Sequence, residues 1–354
     1  MSNLTWTEQD AKAVDTARVL AADAVEKVGN GHPGTAVSLA PIAYLLYSKV
    51  MHVDPSEPRW LGRDRFVLSA GHSSMTQYAQ LYLQGFGLEL KDMQGLRQWD
   101  SLTPGHPEFG LTKGIESTTG PLGAGVANAV GFAMSARRAQ ELYDPEASPG
   151  ESVFHHNVYA IAGDGCMQEG VSGEASSLAA TQNLGNLFLI YDDNRISIEG
   201  DTKIAFSEDV QARYAAYGWD TYHVDFTNGF TTYEEKVAEL YDVLEQAKQI
   251  TDRPHFIKVT TIIGWPLPTK AGDHSVHGSK LGGAEITALK AELGFEDTPF
   301  AVDEALVDTV RSNAADRARQ LHAEWDPRFE AWRSANPERA ALLDRVLARE
   351  VPDD

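Results

Sequence analysis

Two short apolar segments separated by a helical pattern constrain the fold of this chain most strongly. Residues 156–163 (HNVYAIAG) and 184–194 (LGNLFLIYDDN) have the composition of buried strands. Between them the sequence spaces Val171, Ala175 and Leu178 as a helix does when it buries one face. A strand, a helix and a second strand of these lengths predict a right-handed parallel crossover.

The same alternation continues along the chain. Further strands are predicted in RFVLSAGH, GWDTYHVD and PHFIKVTTIIG, and helical patterns at 10–28, 39–52, 72–87, 121–142 and 232–249. This order predicts an α/β fold with a doubly wound, mostly parallel sheet flanked by helices. After about residue 282 the sequence becomes charged and helical, with Asn336 as a candidate N-cap before Pro337. We therefore expect an α/β domain over residues 1–282 and a C-terminal helical arm over 283–354.

The charge of the chain limits its partners. Thirty Lys and Arg residues against 51 Asp and Glu give a net charge of -21, which repels nucleic acid and anionic membranes. No apolar segment approaches the ~20 residues of a membrane span, and the amino terminus does not have the pattern of a secretory signal. We expect a cytoplasmic protein. The single Cys166 excludes an internal disulfide and is interpreted as a small buried residue.

Two oxygen-bearing side chains follow two of the predicted strands. Asp164, between Gly163 and Gly165, follows the first, and Asn194 follows the second. In open parallel sheets, ligands bind outside the carboxyl ends of the strands. A carboxylate and an amide oxygen suit Mg²⁺, which often bridges a protein to a ligand phosphate. A lone GDG would more often be an ordinary turn with a capping Asp; the second element after a crossover favours a metal site.

Histidines in loops form a second candidate group. His32, His72, His106 and His274 each lie in a Gly- or Pro-containing segment, and a neutral imidazole can bind hydroxyls or phosphate, or move a proton. Any one of them alone is more often a structural hydrogen-bonding residue, whereas four together favour a site. His274 and His277 could suggest zinc, but a third ligand is not apparent in the sequence. The long loop over 95–123 is also typical of a binding segment.

The order of several motifs resembles transketolase. GDG followed after 27 residues by an Asp-Asn pair is similar to the thiamine diphosphate and magnesium motif of that enzyme class. Six further segments are similar in the same order, and together the motifs cover residues 29–278: GNGHPGTAVSLAP, DRFVLSAGHSS, PGHPE, TTGPLGAGVANAVGFA, YDDNRISIEG and AGDHSVHG.

The resemblance implies roles for individual residues. The metal ligands would be Asp164, Asn194 and the main-chain oxygen of Ile196. The residues at thiamine diphosphate would be His72, Gly120, Leu122, Gly165, Asn194 and His274. The catalytic residues along the substrate channel would be His32, His106 and His274. Glu169 and Glu174 would join a carboxylate network across the family's dimer interface, although by sequence alone they would be solvated surface acids.

The resemblance also implies an activity and partners. The cofactors would be thiamine diphosphate and Mg²⁺, for which Ca²⁺ or Mn²⁺ is expected to substitute. The reaction would transfer a two-carbon ketol unit from a ketose phosphate to an aldose phosphate in the pentose phosphate pathway, in a homodimer. The pyrimidine-binding half of such an enzyme would follow residue 354, so we expect this chain alone to bind cofactor weakly and to be inactive.

Several alternatives to a complete transketolase remain open at this point. The chain is a fragment of a full-length transketolase, the N-terminal subunit of a naturally split one, or a non-catalytic cofactor-binding module. A related enzyme, 1-deoxyxylulose-5-phosphate synthase, fits the PGHPE and HSVHG segments less well.

Overall fold

The fold is built on a five-stranded parallel sheet. The computed structural model describes residues 2–148, 150–198 and 200–351. The strands of the main sheet lie in the spatial order β1-β2-β3-β7-β6, and a small antiparallel pair, β4 and β5, lies beside it. Their bounds are β1 Arg65–Leu68, β2 Val158–Gly163, β3 Leu187–Asp193, β4 Ile196–Ser197, β5 Gly200–Asp201, β6 Asp220–Asp225 and β7 His255–Thr260.

Helices cover both faces of the sheet. In chain order they are α1 (Glu8–Val28), α2 (Pro33–Ser38), α3 (Ala40–Leu45), α4 (Met75–Leu83), α5 (Leu90–Gln94), α6 (Ala124–Tyr143), α7 (Asp164–Gln168), α8 (Gly170–Thr181), α9 (Val210–Tyr217), α10 (Val237–Ala247), α11 (Ser275–Gly278), α12 (Gly283–Leu293), α13 (Glu304–Ala335) and α14 (Pro337–Leu347). A π-helical turn, Leu46–Val50, follows α3, and short 3₁₀ turns span Gly71–Ser73 and Thr202–Ile204.

Each face of the sheet has its own hydrophobic core. On one face α1, α3, α4 and α10 pack around Tyr159, Phe188 and Ile257. On the other face α6, α8 and α9 pack around Ala160, Leu189 and Phe256. Successive residues of one strand point to opposite faces, so continuous apolar runs in the central strands fill both cores. The α/β class and the flanked parallel sheet are confirmed, as is the buried position of Cys166.

Capping residues fix the ends of the long first helix. The Thr7 hydroxyl accepts a hydrogen bond from the amide of Asp10, and the Asp10 carboxylate accepts one from the amide of Thr7. This reciprocal pair satisfies amides that have no partner inside the helix. Gly29, with φ of 80°, ends the helix in the left-handed conformation that glycine adopts most readily.

Two predicted helices differ from the observed ones. The pattern at 39–52 gives only a short α3, because the chain widens into the π-helical turn at Leu46–Val50. The crossover helix predicted between β2 and β3 forms as α8, and a separate short α7 precedes it because Glu169 has extended backbone angles. Val171 and Leu178, which the spacing places on the buried face of this helix, are instead 44% and 43% exposed. The helix turns the small residues Ser172, Ser176 and Ala179 inward.

The C-terminal helices pack against the α/β core. Trp332 of α13 donates its indole N–H to the carbonyl of Tyr143 at the end of α6, at 3.0 Å. Around it, Phe154, Ala340 and Leu343 form a separate small core. The predicted helical arm is therefore helical and docked, and the boundary at residue 282 stays a prediction.

Among the described residues, none of the helices combines the length and the apolar character that a membrane span needs. The cytoplasmic location stays a prediction.

Candidate functional site

The carboxyl ends of β2 and β3 place the two predicted metal ligands in one region. The strands pair in parallel, with Gly163 opposite Asp192. Asp164 therefore follows the end of β2 directly beside the end of β3, and Asn194 comes immediately after β3. Both side chains are buried, with exposed fractions of 4% for Asp164 and 8% for Asn194.

Hydrogen bonds hold the Asp164 carboxylate at both oxygens. Oδ1 accepts from the Tyr191 hydroxyl at 2.6 Å, and Oδ2 accepts from the Arg195 amide at 3.1 Å. Burial raises the pKa of Asp164 to about 7; the Tyr191 hydroxyl opposes this shift and the carboxylates of Asp192 and Asp193 add to it. A bound cation would favour the charged carboxylate that burial disfavours.

Consecutive amides of one turn hold the two ligand oxygens. The Arg195 amide binds Asp164, and the Ile196 amide donates to Oδ1 of Asn194 at 3.0 Å. The side-chain amide of Asn194 in turn donates to Asp192 at 2.8 Å, which leaves its oxygen as the acceptor end. Arg195 has φ of 60°, a conformation that non-glycine residues rarely adopt and that is common at functional turns.

The donor set fits a hard divalent cation. One carboxylate and one amide oxygen converge at the turn that also carries Ile196. The only cysteine of the chain, Cys166, is buried and its sulfur accepts a hydrogen bond from the Ser69 hydroxyl. Its sulfur is therefore not counted among the metal ligands. Oxygen-only ligand sets with few protein ligands are typical of Mg²⁺ that also binds a phosphate. The roles of Asp164, Asn194 and Ile196 stay predictions.

The predicted cofactor glycines bring a loop against this edge of the sheet. Gly120 has φ of 151°, and a side chain there would begin 3.3 Å from the His106 ring. A side chain at Gly165 would begin 2.8 Å from Cδ1 of Leu122. Gly165 therefore permits close approach between the start of α7 and Leu122 of the loop before α6, and Gly120 permits close approach of His106 within that loop.

Three histidines from distant segments form a half-buried cluster, which we call the histidine cluster: His32, His72 and His277. Their ring centroids are 4.8 Å apart for His32 and His72, 5.2 Å for His72 and His277 and 5.7 Å for His32 and His277. The Nδ1 atoms of His32 and His277 are buried and have no hydrogen-bond partner among the described residues. Buried polar atoms are nearly always satisfied, so these atoms fit a ligand that supplies the missing bonds.

A close approach between α2 and α11 assembles this cluster. A side chain at Gly34 would begin 2.7 Å from both the carbonyl oxygen and Cγ2 of Val276. Only a glycine at the start of α2 therefore lets α11 lie against it, which brings His277 to His32. His274 precedes the same short helix and is exposed to solvent.

The histidine cluster is held neutral by burial. Burial lowers the pKa of His32 to about 4, and the neighbouring His277 and Arg97 lower it further. Burial likewise lowers the pKa of His72 to about 3, followed by the effect of His32. The pKa of His277 is also lowered by burial. Neutral imidazoles present one N–H donor and one acceptor each, which suits binding to phosphate and hydroxyl groups.

The pKa shifts predict a pH dependence of stability. The folded-state pKa values of His32 and His72 lie below the ordinary value of 6.5, so the unfolded chain binds more protons below that pH. The free energy of unfolding is therefore expected to fall with decreasing pH between about 6.5 and 4, by about 1.4 kcal/mol per pH unit for each histidine. Denaturant titrations of wild type and His72→Gln check this. In the variant, the free energy of unfolding should change less steeply with pH, by the contribution of one histidine, about 1.4 kcal/mol per pH unit. An unchanged slope would contradict the assignment. Exposed His274→Gln is the matched control.

The remaining predicted residues lie nearby or on the surface. His106 contacts Gly120, and burial, followed by Arg97, lowers its pKa. Glu169 and Glu174 are both exposed, at the start and in the first half of α8. Their proposed role at a dimer interface stays a prediction, as does the catalytic role of His274.

Sequence reasoning missed three residues at this edge of the sheet. The sequence suggests His277 only as a zinc ligand, and the spacing HSVHG by itself does not decide which histidine turns inward. Tyr191 binds Asp164 from inside β3, where its sequence indicates an ordinary core position. Arg97 lowers the pKa of His32 and lies in the predicted binding loop, where its guanidinium donates to Asn30 at 2.9 Å.

These features define an α/β cofactor-binding domain of the doubly wound type. The family model described as transketolase, thiamine diphosphate binding domain, matches residues 9–352. The chain therefore belongs to the family of transketolase thiamine diphosphate-binding domains, as the motifs predict.

Named relatives agree with this assignment. The transketolase of Mycobacterium leprae is 56% identical over 349 residues, which cover 98% of this chain and 49% of that protein. The chloroplastic transketolase-1 of Arabidopsis thaliana is 45% identical over 342 residues, covering 96% of this chain and 45% of that protein. A crystal structure of Pichia stipitis transketolase with sedoheptulose 7-phosphate matches with a TM-score of 0.90 at 38% identity, covering 98% of this chain and 50% of that one. The chain thus spans about half the length of these relatives.

Proposed function

We propose that this chain forms the diphosphate-binding part of a transketolase, which transfers a two-carbon ketol unit from a ketose phosphate to an aldose phosphate. The observation that carries the proposal is the convergence of Asp164 and Asn194 at adjoining strand ends, held by the consecutive amides of Arg195 and Ile196. Family membership supports thiamine diphosphate as the cofactor.

The chain's own residues would bind and orient the cofactor. Asp164, Asn194 and the main-chain oxygen of Ile196 would hold Mg²⁺, to which the diphosphate binds. Gly120 and Gly165 would leave room beside the diphosphate, with His106 against Gly120 and Leu122 against Gly165. Bound thiamine diphosphate supplies an electron sink for breaking and forming a carbon–carbon bond next to a carbonyl.

The histidines would form hydrogen bonds with the polar groups of the cofactor and the substrate. His72 and His277 lie side by side and neutral, and the buried Nδ1 of His277 has no hydrogen-bond partner among the described residues, which suits a diphosphate or sugar oxygen. His32 and His106, with the predicted His274, would hold substrate hydroxyls and move protons at them. Fixed donors and acceptors of this kind orient the reacting atoms and remove the entropy cost of finding them.

The partners proposed here are sugar phosphates, a second copy of the chain and a pyrimidine-binding half. Pichia stipitis transketolase is described in complex with xylulose 5-phosphate and with sedoheptulose 7-phosphate, which supports ketose phosphates as donors. The exposed face of α8 combines Glu169 and Glu174 with exposed Val171 and Leu178. Apolar side chains exposed beside acids are typical of a surface that another chain covers.

Reconstitution tests the proposed activity. The purified chain, mixed with the separately produced second half of a transketolase relative, thiamine diphosphate and Mg²⁺, is expected to transfer a two-carbon unit from xylulose 5-phosphate to an aldose phosphate. Each component alone should be inactive, because neither would hold the whole cofactor. A coupled assay of the product aldose, glyceraldehyde 3-phosphate, measures the rate.

Other outcomes would identify the alternatives. Product formation that requires pyruvate would favour a 1-deoxyxylulose-5-phosphate synthase. Cofactor binding without transfer to any acceptor would favour a non-catalytic module.

A further inference from the structure

A second group of possible metal ligands lies away from the cofactor site, in the segment before β1 and on α13. Ligand atoms of Asp54, Glu57 and His322 all lie within 4.8 Å of one another. They line or border a cleft of about 530 Å³ between this segment, the end of α4 and α13. Because the segment enters β1 at its amino end, the cluster lies on the opposite side of the sheet from Asp164.

The His322 ring is oriented as a metal ligand would be. Its Nδ1 lies 3.0 Å from Oδ1 of Asp326, so this nitrogen donates its proton to that carboxylate. The Trp60 ring packs against the imidazole with centroids 4.4 Å apart, which limits its rotation. A carboxylate on the far nitrogen fixes the tautomer and makes the near nitrogen a better ligand.

The other ring nitrogen of His322, Nε2, has no hydrogen-bond partner among the described residues. This nitrogen is buried, yet it lies 3.1 Å from Oδ2 of Asp54. At this distance a well-aligned pair would form a hydrogen bond, so the oxygen lies beside the axis of the nitrogen's lone pair, as two ligands of one cation do. Two ligands bound to one Zn²⁺ at about 2.0–2.2 Å lie roughly 3.0–3.5 Å apart, which matches the observed separation.

Hydrogen bonds also orient the Asp54 carboxylate. Oδ1 accepts from both the amide and the hydroxyl of Ser56, each at 2.7 Å, and Oδ2 is turned toward His322. Asp54 is 8% exposed, so solvent screens its negative charge only weakly.

The two arginines that line the cleft, Arg311 and Arg319, bind groups other than Asp54 and Glu57. The Arg311 guanidinium donates to the carbonyls of Tyr82 and Leu88, and Arg319 pairs with Asp316. The carboxylates around His322 are therefore left with an excess of negative charge for a cation to balance.

We propose that Asp54, Glu57 and His322 form a second metal site, which binds a divalent transition-metal ion such as Zn²⁺ and leaves one position open to the cleft. One imidazole nitrogen and two carboxylate oxygens are ligands of the type that zinc prefers over magnesium. Glu57 is exposed and closes the site by turning toward the ion. This proposal is independent of the proposed transketolase activity.

Zinc titration and X-ray anomalous scattering test the site. Zn²⁺ binding to the purified chain is measured by competition with a chromophoric chelator, for wild type, Glu57→Gln, His322→Gln and the control His52→Gln. Glu57 is exposed, so its variant is expected to fold; circular dichroism checks His322→Gln. In both variants the affinity for one equivalent of Zn²⁺ should fall by at least about 10-fold. Removing even a residue that only hydrogen-bonds a metal ligand typically causes a loss of this size. His52→Gln, which alters an exposed histidine of the same segment, should retain that equivalent.

Anomalous data from a zinc-soaked crystal of the wild-type chain locate the ion independently of any variant. A peak between Nε2 of His322 and Oδ2 of Asp54 is expected. The proposal is overturned if that position is empty, or if Glu57→Gln and His322→Gln bind as many equivalents as wild type with equal affinity. An empty position would mean that His322 only pairs with the carboxylates of Asp54 and Asp326.

Discussion

Asp164→Ala is expected to lower the Mg²⁺-dependent affinity for thiamine diphosphate by about 100-fold or more, since removing one partner of a buried charge pair costs about 3–5 kcal/mol. Asp164 is the only charged side chain among the proposed Mg²⁺ ligands, and its carboxylate is already positioned by Tyr191 and Arg195. Isothermal titration of cofactor with and without Mg²⁺ measures the effect.

Two further variants make this result specific. Asp164→Asn keeps an oxygen but loses the charge, so its affinity should fall between those of wild type and Asp164→Ala. Asp225→Asn is the matched control, because Asp225 also ends a strand of the same sheet but accepts hydrogen bonds from Thr227 and Gly229 in its own turn. If Asp164→Ala bound cofactor with undiminished dependence on Mg²⁺, the ligand assignment would be wrong.

Gly125→Ala is expected to destabilise the fold by about 3 kcal/mol, the upper part of the range for inserting a methyl group into a packed core. Gly125 lies in the first turn of α6, and a Cβ there would begin 2.5 Å from Cα of Ser69 and 2.7 Å from its Cβ. Ser69 follows β1 directly, so the helix and the end of the strand would have to separate. The free energy of unfolding from denaturant titration measures the loss.

Gly131→Ala is the matched control in the same helix. Its added Cβ would have no heavy atom within 4 Å, so only the helix propensity changes. Replacing this glycine by alanine should raise the free energy of unfolding by about 0.5–1 kcal/mol. Equal effects of the two substitutions would contradict the close approach of α6 to Ser69. Because α6 begins directly after Leu122 and Gly123, Gly125→Ala should also weaken cofactor binding.

The parts of the fold that depend on local pattern could be predicted from the sequence. Apolar runs around 158–163 and 187–193 indicated neighbouring parallel strands, and parallel pairing alone brings the residues after them to one edge. The meeting of Asp164 and Asn194 follows from this topology. The docking of α13 through Trp332 depends on contacts between distant segments, which periodicity does not report.

Long-range packing also decided which histidines meet. His274 and His277 flank the same few residues, and the contact between Gly34 and Val276 determines that His277 lies against His32. The Asp54, Glu57 and His322 cluster joins segments far apart in the chain, so no spacing in the sequence indicates it. In both cases the residue types were visible, whereas their juxtaposition required the folded chain.

We propose that Asp164 and Asn194 bind one cation together with a diphosphate. A crystal structure of the chain with thiamine diphosphate and Mg²⁺ would show whether they do. We expect one ion about 2.0–2.1 Å from a side-chain oxygen of each residue and from a diphosphate oxygen, the distance typical of Mg²⁺. A diphosphate bound elsewhere, or an ion that contacts neither Asp164 nor Asn194, would rule out this shared cation site.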